Sequence, residues 1–181
     1  MSRLKLLILD ACIVIQLHEM GRWDAILQRC DVYLSDIVAK REVRFDDANG
    51  VQIDLKPAVQ AGDINVFAVS EQNIENFRNQ FDADYLGVMD DGEAESLAFL
   101  FASKEDFLIS SADRIVYRVL GNLHRRDQGI SLEEILDRLG STASNLPRQY
   151  RKPFRDQWSE TGFQERLRGI GFRSDSASDS C

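Results

Sequence analysis

Long apolar runs, paired cysteines, histidine and proline are all scarce in this chain of 181 residues. No stretch approaches the roughly 18 or more apolar residues that cross a bilayer, so no membrane span is expected. The apolar start, Leu4 to Leu9, is cut by Asp10 and followed by no small-residue cleavage site. It reads as a buried strand and not as a secretory leader. The three cysteines, Cys12, Cys30 and Cys181, stand far apart without a C-x-x-C, and the two histidines are His18 and His124. Neither a disulfide framework nor a zinc site is expected from that set, and the expected location is the cytoplasm. Positive charge is also short: 22 Lys and Arg face 30 Asp and Glu, a net charge of -8. Binding of nucleic acid by general basicity is therefore not encoded. An enzyme that uses its acids to hold metal ions is left open.

What is present is an ordinary globular mix, 44% hydrophobic and 29% charged, with enough apolar residues for a real core. Leu4 to Leu9 is nearly continuous in apolar residues, as in strands buried on both faces. Helical spacing follows through Ile13, Val14 and Leu17, then Trp23, Ile26 and Leu27. Val32 to Leu34 is a second strand, after which Ser35 can cap a helix that reaches Glu42. Residues 43–55 carry Asn49-Gly50 between Val43-Arg44-Phe45 and Val51-Gln52-Ile53, which predicts a hairpin. A strand over 64–69 and a helix near 71–81 come next. A long apolar helix opens at Asp90-Asp91-Gly92-Glu93, a strand runs over 107–109, and a helix from Ile115 closes near Gly121. Strands alternating with helices predict an α/β fold with a mostly parallel twisted sheet flanked by helices.

Ser131 and Glu134 form a capping box for one more helix, ending at Gly140. Residues 1–140 are thus expected as the main domain, with the 43–55 hairpin as an insertion. Residues 141–173 are expected as a helical C-terminal extension interrupted by Pro147 and Pro153. The small, polar segment 174–181 is expected to be a disordered tail.

Four acids stand out by position. Asp10 ends the first strand, Asp113 follows the last, Glu93 lies in the first turn of the long helix, and Glu42 ends the helix after Ser35. In open parallel sheets chemistry gathers beyond the carboxyl ends of the strands. Carboxylates brought together there repel one another unless a hard cation such as Mg²⁺ or Mn²⁺ neutralises them.

These segments resemble those of the PIN-domain nucleases over residues 4–121. Leu6 to Ile15 is similar to the family's opening strand, Asp and helix, and Tyr33 to Val38 leading to Glu42 to its second segment. Gly92-Glu93-Ala94-Glu95 resembles the Gly-Glu helix start of one bacterial branch. Leu108-Ile109-Ser110-Ser111-Ala112-Asp113 resembles the strand ending in Ser/Thr-x-Asp. The resemblance implies a PIN-like, Mg²⁺- or Mn²⁺-dependent endoribonuclease with catalytic acids Asp10, Glu42, Glu93 and Asp113. Asp10, Glu93 and Asp113 would be the metal ligands and Ser111 a supporting hydroxyl. It also implies RNA as substrate, a toxin's role with an antitoxin protein as partner, and a homodimer.

Plainer roles exist for the same residues. Asp10 and Asp113 also fit helix N-caps, and Glu93 also fits the positive end of a helix dipole. Asp90 and Asp91 read as a loop and N-cap pair, Glu95 as a competing ligand on another helix face, and Cys12 as a small core residue. A PIN-like binding or assembly module without turnover is the main alternative. A phosphatase built on Asp10 is disfavoured, since haloacid-dehalogenase-type enzymes want a second Asp where Cys12 stands.

The charge is also divided. Residues 1–109 hold 10 Lys and Arg against 20 acids, and residues 110–181 hold 12 against 10. Arg114, Arg118, Arg125 and Arg126 are the candidate nucleic-acid contacts on the more basic side.

Overall fold

Among the described residues, β1 (Leu4–Leu9), β2 (Cys30–Ser35), β3 (Ile64–Phe67) and β4 (Leu108–Ser110) form one sheet in the order β3-β2-β1-β4. Every pairing is parallel. The structure is a computed structural model describing residues 4–42, 50, 52–141 and 145–173. β1 registers Ile8 with Tyr33 on one side and with Ile109 on the other. Beyond β4, Ile130 N–H reaches Ile109 O at 2.9 Å, adding a single parallel bridge at Gly129.

The inner strand β1, apolar apart from Lys5, serves two separate cores. Leu9 packs with Ile13, Leu17, Ile26, Leu34 and Ile135, and Ile8 with Leu97, Leu100, Ile109, Val116 and Leu120. Adjacent residues on a strand face opposite sides, so alternation divides β1 between two helical layers. α1 (Ala11–Glu19), α2 (Trp23–Arg29) and α8 (Leu132–Arg138) supply the first. α4 (Glu71–Arg78), α6 (Asp91–Ala102) and α7 (Arg114–Asn122) supply the second.

α9 (Lys152–Leu167) lies on α7 at a close approach set by glycine. A Cβ on Gly121 would meet Ser159 O at 2.0 Å, and one on Gly162 would meet Arg118 O at 1.9 Å. Gly121 therefore sits inside α7, which runs on to Asn122, and does not end it. Pro153 starts α9 instead of interrupting it, because a first-turn proline lacks only an N–H that would be unpaired anyway. Pro147 precedes a 3₁₀ turn at Arg148–Tyr150.

Two short helices, α3 (Lys56–Ala61) and α5 (Ala83–Leu86), carry too few turns to show a sequence period. α4 stops at Arg78, and Phe81 instead pairs with Phe172 in an antiparallel bridge. The segment after Ser35 is π-helical over Val38–Glu42. The hairpin expected over 43–55 lies mostly outside the described residues, as does the tail 174–181. Among the described residues no helix is long and apolar enough to cross a membrane.

Candidate functional site

The sheet order reverses direction between β1 and β4, since the chain runs outward through β2 and β3 on one side and returns on the other. The crevice beyond the carboxyl ends at such a switch point is where open α/β sheets bind ligands. Asp10 stands there at the end of β1, its N–H bonded to Ser110 O at 3.1 Å. Asp113 stands three residues beyond β4 and is exposed.

Both acids cap helices. Asp10 Oδ1 accepts the Ala11 N–H at 2.7 Å, and Asp113 Oδ1 accepts the Ile115 N–H at 3.0 Å. The cap uses one oxygen of Asp10 and leaves the other for tertiary contacts. Asp10 Oδ2 accepts the Ser111 hydroxyl at 2.7 Å and the Cys12 thiol at 3.1 Å. Ser111 Oγ in turn accepts the Asp113 N–H at 2.8 Å, linking the two strand ends. Cys12 Sγ accepts the Ala112 N–H at 3.3 Å, making a second link.

Ser111 itself is pinned. Its N–H donates to the Tyr117 hydroxyl at 3.2 Å, and that hydroxyl lies 2.8 Å from Ser111 O and 3.1 Å from Ile130 O. Burial holds the Tyr117 proton on by raising its pKa.

Burial pushes the Asp10 carboxyl above its ordinary range, although the donors from Ser111 and Cys12 pull it back in part. The Cys12 thiol is pushed well up by burial and by the Asp10 charge. Such a thiol is a donor and not a nucleophile.

Glu93, from the first turn of α6, is 4% exposed. It forms a capping box with Asp90: Glu93 N–H donates to Asp90 Oδ1 at 2.8 Å, and Asp90 N–H to Glu93 Oε2 at 3.0 Å. Its pKa is pushed up to about 9, first by burial and then by the charges of Asp90, Asp113 and Asp10. The carboxylates of Asp90, Asp113 and Asp10 are thus near enough to Glu93 to raise it beyond the effect of burial. Among the described residues, no three His, Cys, Asp or Glu side chains converge into a ready ligand set.

Glu95, two positions along α6, has a different job. Its oxygens accept the Val69 N–H at 3.0 Å and the Ile37 N–H at 3.3 Å, tying the segments after β3 and β2 to the helix. Glu42 closes the π-helical segment, and its side chain lies outside the described residues.

The four arginines occupy different settings. Arg118 is bidentate to Glu165, with Nη2–Oε1 at 2.8 Å and Nε–Oε2 at 3.2 Å, and its side chain is 14% exposed. Its fork is thus occupied by the α9 carboxylate of Glu165. Arg126 pairs with Glu160 at 2.9 Å, and Arg125 lies over Phe101 with its Nη1 3.5 Å from Leu100 O. Arg114, directly after Asp113, is exposed and lies over the Trp158 ring at 5.5 Å.

Three contributors were absent from the sequence reading of the site. Cys12 had a usable signal, since a side chain two residues after an N-cap Asp can reach back to it. Asp90 was legible only as a cap. Tyr117 carried no local signal, because its bonds to Ser111 and Ile130 are made by the fold. No protein-family model, curated protein or solved structure matches the chain.

Proposed function

We propose that this chain is a metal-dependent ribonuclease of PIN-like fold, hydrolysing RNA phosphodiester bonds. The observation that carries the reading is the joining of Asp10 and Asp113 through Ser111 at the β1/β4 switch point, with Glu93 in electrostatic reach. The choice of RNA follows the sequence resemblance, as does the assignment to a toxin with an antitoxin partner and a homodimeric state. The cytoplasmic location follows from the sequence, whose three cysteines stand far apart.

The donor set suits a hard divalent cation. Asp10, Glu93 and Asp113 offer only carboxylate oxygens, and Glu93, raised first by burial, is raised further by neighbouring acids whose repulsion a cation would relieve. These three residues would hold Mg²⁺ or Mn²⁺, with Glu42 as a further ligand or as a base. When bound, the ion supplies neutralisation of the phosphate charge and a lowered pKa for water. The chain's own part is orientation: Ser111, Cys12 and the Ala11 N–H fix Asp10, and the α7 cap fixes Asp113. Water adds to phosphorus in line, the P–O bond to the leaving nucleotide breaks, and the leaving oxygen takes up a proton.

Cleavage of single-stranded RNA by the purified protein, with Mn²⁺ or with EDTA, tests this. The expected result is Mn²⁺-dependent cleavage that Asp10→Asn lowers by about 100-fold or more, the scale of a lost metal ligand or its support. Cleavage by Asp10→Asn at the wild-type rate contradicts the assignment. A PIN-like binding module without turnover is the second reading, favoured by the lack of a converged ligand trio among the described residues. Its signature is RNA or protein binding with no Mn²⁺ uptake in calorimetry.

A further inference from the structure

A phosphodiester nearing Asp10, Glu93 and Asp113 meets negative charge, which a cationic side chain beside them would offset for the neighbouring phosphates that no metal ion reaches. We infer that Arg114, held over the Trp158 indole, binds a backbone phosphate of the single-stranded RNA next to the scissile one. The α9 helix thereby completes the substrate site. The inference rests on the ribonuclease reading for the identity of the strand.

Arg114 differs from its neighbours in what it touches. Arg118, Arg126 and Arg155 each hold a carboxylate, from Glu165, Glu160 and Glu134. Arg114 has an aromatic neighbour and, among the described residues, no carboxylate partner. An indole supplies no acceptor oxygen, so the N–H fork of the guanidinium stays available for the bidentate contact that phosphate favours. The residue is exposed and follows Asp113 directly at the start of α7, which puts it at the rim of the acid site.

Trp158 is the positioning residue. It packs edge-to-face on Phe154, which itself meets Tyr117, the anchor of Ser111. One turn of α9 away, the Gly121 and Gly162 contacts lock α9 against α7. The indole, on α9, is thus packed through Phe154 against α7, the helix that Asp113 caps and Arg114 opens, and part of the cost of ordering the guanidinium is met before RNA arrives.

Binding of a fluorescently labelled single-stranded RNA to the full chain, followed by anisotropy in EDTA over a salt series, tests this without turnover. Arg114→Ala is expected to weaken binding about tenfold, the scale of one charged hydrogen-bonded contact. It should also make the slope of log K against log salt shallower by about 0.7, the share of one phosphate on a single strand. Trp158→Phe should keep the affinity and Trp158→Leu should lose it, whereas Arg29→Ala on α2 should leave both affinity and slope alone. No binding by the wild type, or wild-type affinity and slope in Arg114→Ala, overturns the inference. Because Arg114 is exposed, that variant remains informative if Trp158→Leu unfolds. The Mn²⁺-dependent cleavage assay separates the two claims. Loss of Arg114-dependent binding with cleavage intact refutes only this site, and Arg114-dependent binding without any cleavage refutes only the nuclease.

Discussion

The Ser111 hydroxyl donates to Asp10 Oδ2 at 2.7 Å while accepting the Asp113 N–H at 2.8 Å. One small side chain thus sets the spacing of the acids at the ends of two adjacent parallel strands. Alanine at Ser111 removes both bonds in a site that is 1% exposed. Ser111→Ala is expected to lower Mn²⁺-dependent cleavage by about 10–100-fold, as loss of the groups orienting metal ligands does. The cost in stability should be only about 1–3 kcal/mol. Ser111→Thr, which keeps the hydroxyl, should restore most of the rate. Cleavage by Ser111→Ala at the wild-type rate would show that the link is structural alone.

Glu93 makes stability depend on pH. Its folded pKa is raised to about 9 from an ordinary value near 4.5. The folded state therefore holds a proton that the unfolded chain has already lost. The stabilisation this brings is complete below about pH 4.5 and is lost as pH rises through about 9. Glu93→Gln carries no such penalty, so in EDTA its Tm should exceed that of the wild type at pH 8–9. The gap should close toward pH 5. A gap that does not change with pH would contradict the burial and clustering assigned to Glu93.

Glu95→Gln should destabilise the fold, although only one residue separates Glu95 from Glu93. Each of its oxygens receives a backbone N–H, from Ile37 and from Val69. An amide at this buried position can accept only through its single oxygen and turns an NH₂ toward one of those donors. Glu95→Gln is expected to lose about 1–3 kcal/mol, the cost of leaving a buried donor unpaired. Urea denaturation at pH 7 measures it, and unchanged stability would refute the tie between α6 and the sheet.

The contact of α9 with α7 admits no extra atom. Gly162→Ala would set a Cβ 1.9 Å from Arg118 O, and the obstacle is backbone and not a flexible side chain. The helices must separate, which also strains the Arg118–Glu165 pair. A loss of about 1–3 kcal/mol or more is expected, as for other overpacked interiors. A variant as stable as the wild type would mean that α9 is docked loosely.

Much of this arrangement was legible because period and position carry it. The apolar run ending at Asp10 and the one before Asp113 fix two buried parallel strands, and residues at such ends share a crevice whenever the strands pair. That they do pair is a tertiary fact, decided by the two cores on either face of β1. Glu93 and Glu95 lie two positions apart at the start of α6 and are the same residue type. Only packing separates a glutamate facing acids from one occupied by backbone N–H groups. The reading of Pro153 as an interruption misjudged a residue that suits a first turn. The reading of Gly121 as a stop missed a glycine used for contact. Arg118 reads in the sequence as a candidate nucleic-acid contact because Glu165, its partner, lies 47 residues on.

The most direct test of the central claim is anomalous scattering from a crystal soaked in Mn²⁺. The account expects a peak among the carboxylates of Asp10, Glu93 and Asp113, lost in Asp10→Asn. A fully soaked crystal with no manganese at those three residues, or with manganese only elsewhere, would contradict it.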